Sequence, residues 1–355
     1  MDKKRKFGKL IDKESVFNFL YRLREEEICM CTCITYQNSQ FYFGRNMDLA
    51  YSFQEKIVIT PRNYTFPFKR QEKIQKHYAM IGMATVLEDY PLYAEAVNEK
   101  GLCMAGLNFP DNAVYQKEEN GLYNITPFEL IPWVLSQCAS VSDAKQLLVK
   151  TNIVAIPFQK DIPLAPLHWM LADEEKSIVL EPMEDGLKIY ENPYGVLTNN
   201  PAFGYHKMNL MNYLNLTSAY PDNRFSKEID LKPYAQGMGA IGLPGDASSA
   251  SRFIRAVFLK FHSDCKKDEL SCITQVFHML EGVSMMQGSV VTEEGEYDRT
   301  TYSCCVNAKK GIYYYRTYEN SQICAVQLLE EHLDIETLIC YPLVMEQQIH
   351  YINRK

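Results

Sequence analysis

The chain has 355 residues, 46% hydrophobic and 23% charged, the composition of an ordinary globular protein with material for a large core. Its net charge of -7 argues against a nucleic-acid binder, which would need a basic face, and residues 1–30, with eight Lys/Arg against six Asp/Glu, leave the remainder more acidic still. Apolar runs fall far short of the roughly 18 residues of a membrane span, and eleven cysteines without a preceding export signal point to a reducing cytoplasm rather than a disulfide framework.

Residues 31–61 predict three strands, CTCITY, QFYFGRN and EKIVIT; an Asn-Ser turn joins the first two as a hairpin and Pro61 stops the third. The runs HYAMIGMATV, LYAEAVN and GLCMAGLNF extend the strand-rich half to about residue 109. Thr126-Pro127-Phe128-Glu129 is a capping box with proline at the first helical position, predicting a helix to about Ser140. A second helix is predicted from near Ser142, with Ala144, Leu147 and Leu148 on one face. PLHWMLAD, KSIVLEP and GVLTN then predict a meander. From Ala250, the residues Phe253, Ile254, Val257, Phe258 and Phe261 mark one face of a helix, and DELSCITQVFHMLEGV gives another. TTYSCCV, GIYYYRTY and SQICAVQLL return to strand. No linker or repeat divides this order, so one layered α+β domain is expected.

Two motifs are false leads. Gly237-Met-Gly239-Ala-Ile-Gly242 matches GxGxxG, but it follows LKPYAQ and runs into Leu243-Pro244-Gly245-Asp246, so no helix N-terminus is expected to hold a pyrophosphate. Cys29, Cys31 and Cys33 form a CxCxC run without the second ligand pair of a zinc site. Cys33, Cys103, Cys138, Cys272, Cys304, Cys305, Cys324 and Cys340 read as small buried hydrophobes, and Cys265 as an exposed thiol. None of the seven histidines stands in a local cysteine-peptidase motif.

A cysteine nucleophile therefore needs another base. Met30-Cys31-Thr32, followed by FGRNMD at 43–48, supplies one: removal of the residues before Cys31 gives it an α-amine of pKa about 7.7–8.0, suited to proton transfer near neutrality. Arg45, on the returning strand of the hairpin, is placed to favour the thiolate, and Asp48 to anchor the protonated amine.

At these residues the chain resembles the choloylglycine hydrolase family, the bile salt hydrolases and penicillin V acylases among the N-terminal nucleophile hydrolases. The likeness covers about 31–345 through MCT, FGRNMD, DYP, NEKGL, AGLNFP, LHWM, GVLTNNP, GLPGD and SRFIR, in order. It implies a four-layer αββα sandwich, an assembly as homotetramer, no metal or organic cofactor, and conjugated bile salts as substrate. It also implies Cys31 as nucleophile with Arg45 and Asp48 beside it, Asn108 and Asn199 at the oxyanion and amine contacts, and Arg252 as a second active-site arginine. Asn108 resembles the bile salt hydrolases, where penicillin V acylases often carry Tyr. Taken singly, these residues also read as an ion pair, turn residues and a helix-surface charge. For the sterol, Met47, Leu49, Tyr51, Ile153, Ile156 and Phe158 are candidate groove residues, with core packing an equal reading of each. An acylase acting on penicillin V or another N-acyl amide, and a non-catalytic sterol binder, are the rival functions.

Residues 1–30 depart from the family pattern, in which the nucleophile follows the initiator Met. Residues 31–355 are expected to form the catalytic domain. The extension is either a propeptide or the product of an upstream start: codons for Glu25-Glu26-Glu27 can place GGAGGA before the Met30 codon. Translation from Met30 and removal of that Met is the expectation; an amphipathic helix bearing Val16, Phe17, Leu20 and Leu23 is the competing reading.

Overall fold

The structure, a computed structural model, describes residues 30–160 and 162–353. The expectations for residues 1–29, including the amphipathic helix, lie outside the described residues.

Strands run in chain order as β1 (Met30–Gln37), β2 (Phe41–Leu49), β3 (Lys56–Thr60), β4 (Met80–Leu87), β5 (Tyr90–Asn98) and β6 (Cys103–Asn108). The short β7 (Tyr123–Ile125) and β8 (Thr151–Ile153) pair in parallel and bracket helices α1 (Leu130–Leu135) and α2 (Val141–Leu148). Next come β9 (Leu167–Ala172), β10 (Ser177–Met183), β11 (Gly186–Glu191) and β12 (Val196–Leu197), then helices α3 (Phe203–Leu210), α4 (Ser249–Phe261) and α5 (Glu269–Glu281). The chain closes with β13 (Val290–Val291), β14 (Tyr297–Asn307), β15 (Ile312–Thr317), β16 (Cys324–Gln327) and β17 (Ile339–Pro342).

Two antiparallel sheets result. One is seven-stranded, ordered β12-β1-β2-β14-β15-β16 with β13 on β14; the other is eight-stranded, ordered β11-β10-β9-β6-β5-β4-β3-β17. Strand alternation sorts the second sheet's side chains into two cores. Ile57, Ile59, Cys103, Ala105, Leu107 and Met170 face the first sheet, whereas Val58, Met104, Trp169 and Leu171 face α1 and α2. Beyond the first sheet, Phe253, Ile254, Val276 and Leu280 of α4 and α5 complete the inner cluster. The layers are thus helices, sheet, sheet, helices, as expected. No helix among the described residues is long and apolar enough to cross a membrane.

Several boundaries differ from expectation. The helix after Thr126 opens as a 3-10 turn, Pro127–Glu129, and α1 ends at Leu135 rather than Ser140. Asn98 ends it by donating its side-chain amide to the carbonyls of Leu135 and Cys138, both at 2.8 Å, and Ser140 then caps α2. The meander's third strand is β11, not GVLTN; that segment crosses to the other sheet, where Leu197 and Val196 pair with Cys33 and Ile34. Residues 237–242 form a loop around a 3-10 turn, with Gly237 and Gly242 at φ 80° and 98°. Cys340 is exposed on β17 and Cys324 half-buried on β16, since both strands are sheet edges. Cys265 is half-buried, its thiol 3.8 Å from that of Cys272.

Candidate active site

The β1–β2 hairpin sets Cys31 opposite Met47 and Cys33 opposite Arg45, so alternation points these four residues at the second sheet. Cys31 and Arg45 are buried, and Arg45 Nη2 lies 3.1 Å from Cys31 Sγ. The same guanidinium donates through Nη1 to the Ala94 carbonyl at 2.6 Å and to Glu95 Oε2 at 2.9 Å. Burial works against this cation, but Cys31, Tyr302 and Glu95 outweigh it and hold its pKa well above the ordinary arginine value.

On the helix side, Arg252 near the start of α4 reaches through the sheet's end. Its Nη1 donates to the Cys31 carbonyl at 2.5 Å and to Thr32 Oγ1 at 2.7 Å, its Nη2 to Asn199 Oδ1 at 2.8 Å, and its Nε to the Ala247 carbonyl at 2.9 Å. Asn199 Oδ1 also accepts the Cys31 N–H at 2.8 Å, while Asn199 Nδ2 donates to the Asn108 carbonyl at 2.8 Å. Guanidinium can only donate and a carbonyl can only accept, so these neighbours fix the orientation of the Asn199 amide. Its oxygen faces the Cys31 nitrogen.

Asp48 pairs in register with Met30, the residue that precedes Cys31, and accepts from Thr300 Oγ1 at 2.5 Å. Burial pushes its carboxyl up to about 7, against the pull of Arg252 and the Thr300 hydroxyl. Asp298, two residues along β14, rises to about 6 through burial and the charge of Cys31, with Arg252 opposing.

The structure brings Cys31, Arg45, Asp48, Asn199 and Arg252 together, with Asn108 joined through its backbone carbonyl. Met47 Sδ is 3.6 Å from Cys31 Sγ, and Leu49 packs in the same cluster. Tyr51 is half-buried in the loop after β2. Of the other groove candidates, Ile153 is buried in the outer core and Phe158 packs on it beside Tyr90 and Phe128. Ile156 is half-buried in the loop between them.

Three residues of this site were not expected. Glu95 stands behind Arg45, and its signal was an acidic residue in the apolar run LYAEAVN. His168 Nε2 meets the Thr198 carbonyl at 2.8 Å and His206 Nε2 the Asn199 carbonyl at 2.9 Å, so two buried histidines pin the segment that presents Asn199. No local pattern around His206 signals that role.

Residues 31–341 match the linear amide C-N hydrolases, choloylglycine hydrolase family. The chain is 51% identical over 324 residues to a bile salt hydrolase/transferase of Lactiplantibacillus plantarum, covering 91% of this chain and all of that one. It is 41% identical to a bile salt hydrolase/transferase of Clostridium perfringens, again over 91% of this chain and all of the relative. A crystal structure of a mutant conjugated bile acid hydrolase from Clostridium perfringens superposes with a TM-score of 0.85 at 40% identity, over 91% of this chain and all of that one. Penicillin V acylase from Agrobacterium tumefaciens shares the fold, with a TM-score of 0.69 at 18% identity over 90% of this chain and 94% of that one. With its fold and most of its length accounted for, the chain belongs to the choloylglycine hydrolase family of linear amide C–N hydrolases.

Proposed function

We propose that the protein hydrolyses the amide bond of glycine- or taurine-conjugated bile salts, with Cys31 as an N-terminal nucleophile. The observation that carries this reading is the convergence on Cys31 of Arg45 at the sulfur and Asn199 at the nitrogen, in a chain half identical to a bile salt hydrolase/transferase. The active form begins at Cys31, because an acylated nitrogen has no lone pair with which to take a proton. The Cys31 thiolate, favoured by Arg45, attacks the amide carbon and drives the carbonyl electrons onto oxygen. With the Asn199 side-chain amide committed to the nucleophile's nitrogen and the Asn108 carbonyl, the Asn108 side chain is assigned to the oxyanion. The α-amine passes the thiol's proton to the departing glycine or taurine nitrogen, leaving a thioester, and then activates the water that hydrolyses it. Asp48 anchors the amine in its charged form.

Met47, Leu49 and Tyr51, which follow Arg45 along the chain, are assigned to the sterol. The exposed apolar side chains of residues 205–241, among them Leu214, Phe225 and Tyr234, support assembly as a homotetramer. The free cysteines suit a reducing cytoplasm.

The test is N-terminal sequencing and intact mass of protein made from the native gene, with glycocholate, taurocholate and penicillin V hydrolysis measured on the same sample. A Cys31 terminus with bile salt hydrolysis that Cys31→Ser abolishes is expected. An intact Met1 terminus with full activity refutes the α-amine mechanism, preference for penicillin V replaces the substrate, and bile salt binding without hydrolysis makes the protein a sterol binder.

A further inference from the structure

Glu95 is an acidic side chain with only 2% of its surface exposed, lying between the two sheets. It shares its face of β5 with Val97, which lies in the core between the sheets. Between β4 and β5 the register shifts: Met83 faces Glu95 while Ala84 faces Tyr93, leaving Ala94 as the extra residue of a β-bulge. The bulge puts Ala94 on that same face, and the Ala94 carbonyl and the Glu95 carboxylate both accept from Arg45 Nη1. It is tightly enclosed, for a Cβ on Gly82 would meet the Glu95 carbonyl at 2.0 Å.

The carboxylate is held in turn. Tyr302 O–H donates to Oε2 at 2.9 Å, Tyr313 O–H donates to Oε1, and Cys304 Sγ lies 3.7 Å from Oε1. Arg45 thus has its Nη1 edge latched to the second sheet and its Nη2 edge turned to Cys31 Sγ.

We propose that Glu95, fixed by Tyr302 and Tyr313, is the positioning residue that aims Arg45 at the nucleophile, and that it competes with the Cys31 thiolate for the charge of that guanidinium. This rests on the reading of Cys31 as the nucleophile. The charged and titratable groups facing Glu95 are Arg45 on β2, Tyr302 and Cys304 on β14, Tyr313 on β15 and Cys33 on β1. Arg45, Asp48, Asp298 and Cys33 interact electrostatically with Cys31, and Arg252 holds its carbonyl. Arg45 is the cation shared by both sets. Two anions on one buried cation each weaken the other's hold on it. Burial already pushes the Glu95 carboxyl up, against Arg45 first and the two phenols after it.

Two consequences separate this role from simple structural support. Glu95→Gln keeps an oxygen for Nη1 and removes the competing charge, so the pH midpoint for alkylation of Cys31 by iodoacetamide, read by peptide mass spectrometry, moves down by about one unit. Glu95→Ala releases the guanidinium and lowers kcat for glycocholate about 100-fold with a much smaller change in KM. Glu95→Asp, which restores the charge on a shorter arm, recovers part of that loss, and Tyr313→Phe, which removes one latch and leaves the charge, lies between wild type and Glu95→Ala. If Glu95→Ala fails to fold, the Glu95→Gln titration and the Tyr313→Phe kinetics decide alone. An alkylation midpoint unchanged or raised in a folded Glu95→Gln overturns the shared-charge account, and undiminished kcat in folded Glu95→Ala, or in Tyr313→Phe where that variant decides, overturns the positioning role. Wild-type hydrolysis that survives Cys31→Ala sinks the reading of the nucleophile instead, which keeps the two failures apart.

Discussion

Asn199 and Arg252 hold one another in place. Each leaves the other no second orientation, since the amide oxygen must serve two donors and the guanidinium must serve two carbonyls, a hydroxyl and an amide. Replacing Asn199 by Ala strips the Cys31 nitrogen of its acceptor, and we expect kcat to fall about 10²–10³-fold in steady-state glycocholate hydrolysis, the scale seen for removing one catalytic polar contact. Arg252→Lys keeps the charge but has one nitrogen where four bonds are made, so it is expected to lose most glycocholate hydrolysis and to unfold at a lower urea concentration than the wild type. Behind them, His206 is buried against Phe253, and burial lowers its imidazole to about 4, so the ring is neutral and presents Nε2–H to the Asn199 carbonyl. Its folded pKa lies below the unfolded value of about 6.5, so acid protonates the unfolded chain first. The contribution is complete above about pH 6.5 and is lost as pH falls toward 4. Urea midpoints at pH 7 and pH 5 should show wild type losing about 2 kcal/mol more than His206→Gln over that interval; equal losses would mean that His206 is not the group responsible. Of this site, the residues close in sequence to Cys31 were legible, because a hairpin dictates which side chains face each other. Glu95 and His206 were not, because their roles arise from contacts 50 and 7 residues away that no local period encodes.

At the scale of elements, the strands declared themselves through apolar runs rich in β-branched and aromatic residues and the long helices α4 and α5 through their apolar faces. What those runs could not reveal was membership. GVLTN reads as the next strand of a meander, yet β12 belongs to the sheet of the nucleophile. Its partner is decided by Gly195, whose carbonyl accepts the Thr35 N–H at 2.7 Å with φ at 58°, turning the chain across the sandwich. A Cβ at this position would meet Thr35 Oγ1 at 2.0 Å and Lys260 Nζ at 2.2 Å. Gly195→Ala is therefore expected to cost about 2 kcal/mol or more in a urea titration, through left-handed strain and the clash together. Because β12 leads directly into Asn199, activity should be lost at a lower temperature than bulk secondary structure. Coincident loss would show that the turn supports the fold alone. The short α1 illustrates a different limit: the capping box marked its beginning, but its end is set by Asn98, a residue of another layer.

For the whole molecule, residues 205–241 concentrate exposed large apolar side chains. Leu214, Phe225 and Tyr234 are 86%, 83% and 85% exposed. On the proposed tetrameric assembly through this face, joint replacement of Phe225 and Tyr234 by Ser is expected to leave far-UV circular dichroism unchanged and to lower the mass seen by light scattering; a wild-type monomer, or an unchanged mass in the variant, would overturn that assignment. A last consequence concerns the bond between Met30 and Cys31. Cys31 is wholly buried, its N–H is held by Asn199, its carbonyl by Arg252, and its strand runs between β12 and β2. A peptidase must draw its substrate out as a free extended segment, which this strand, once zipped, no longer offers. On the proposed mechanism, exposure of the α-amine is a question of timing: it is finished on the nascent chain before β1 is enclosed, or it is left to a group already inside the fold.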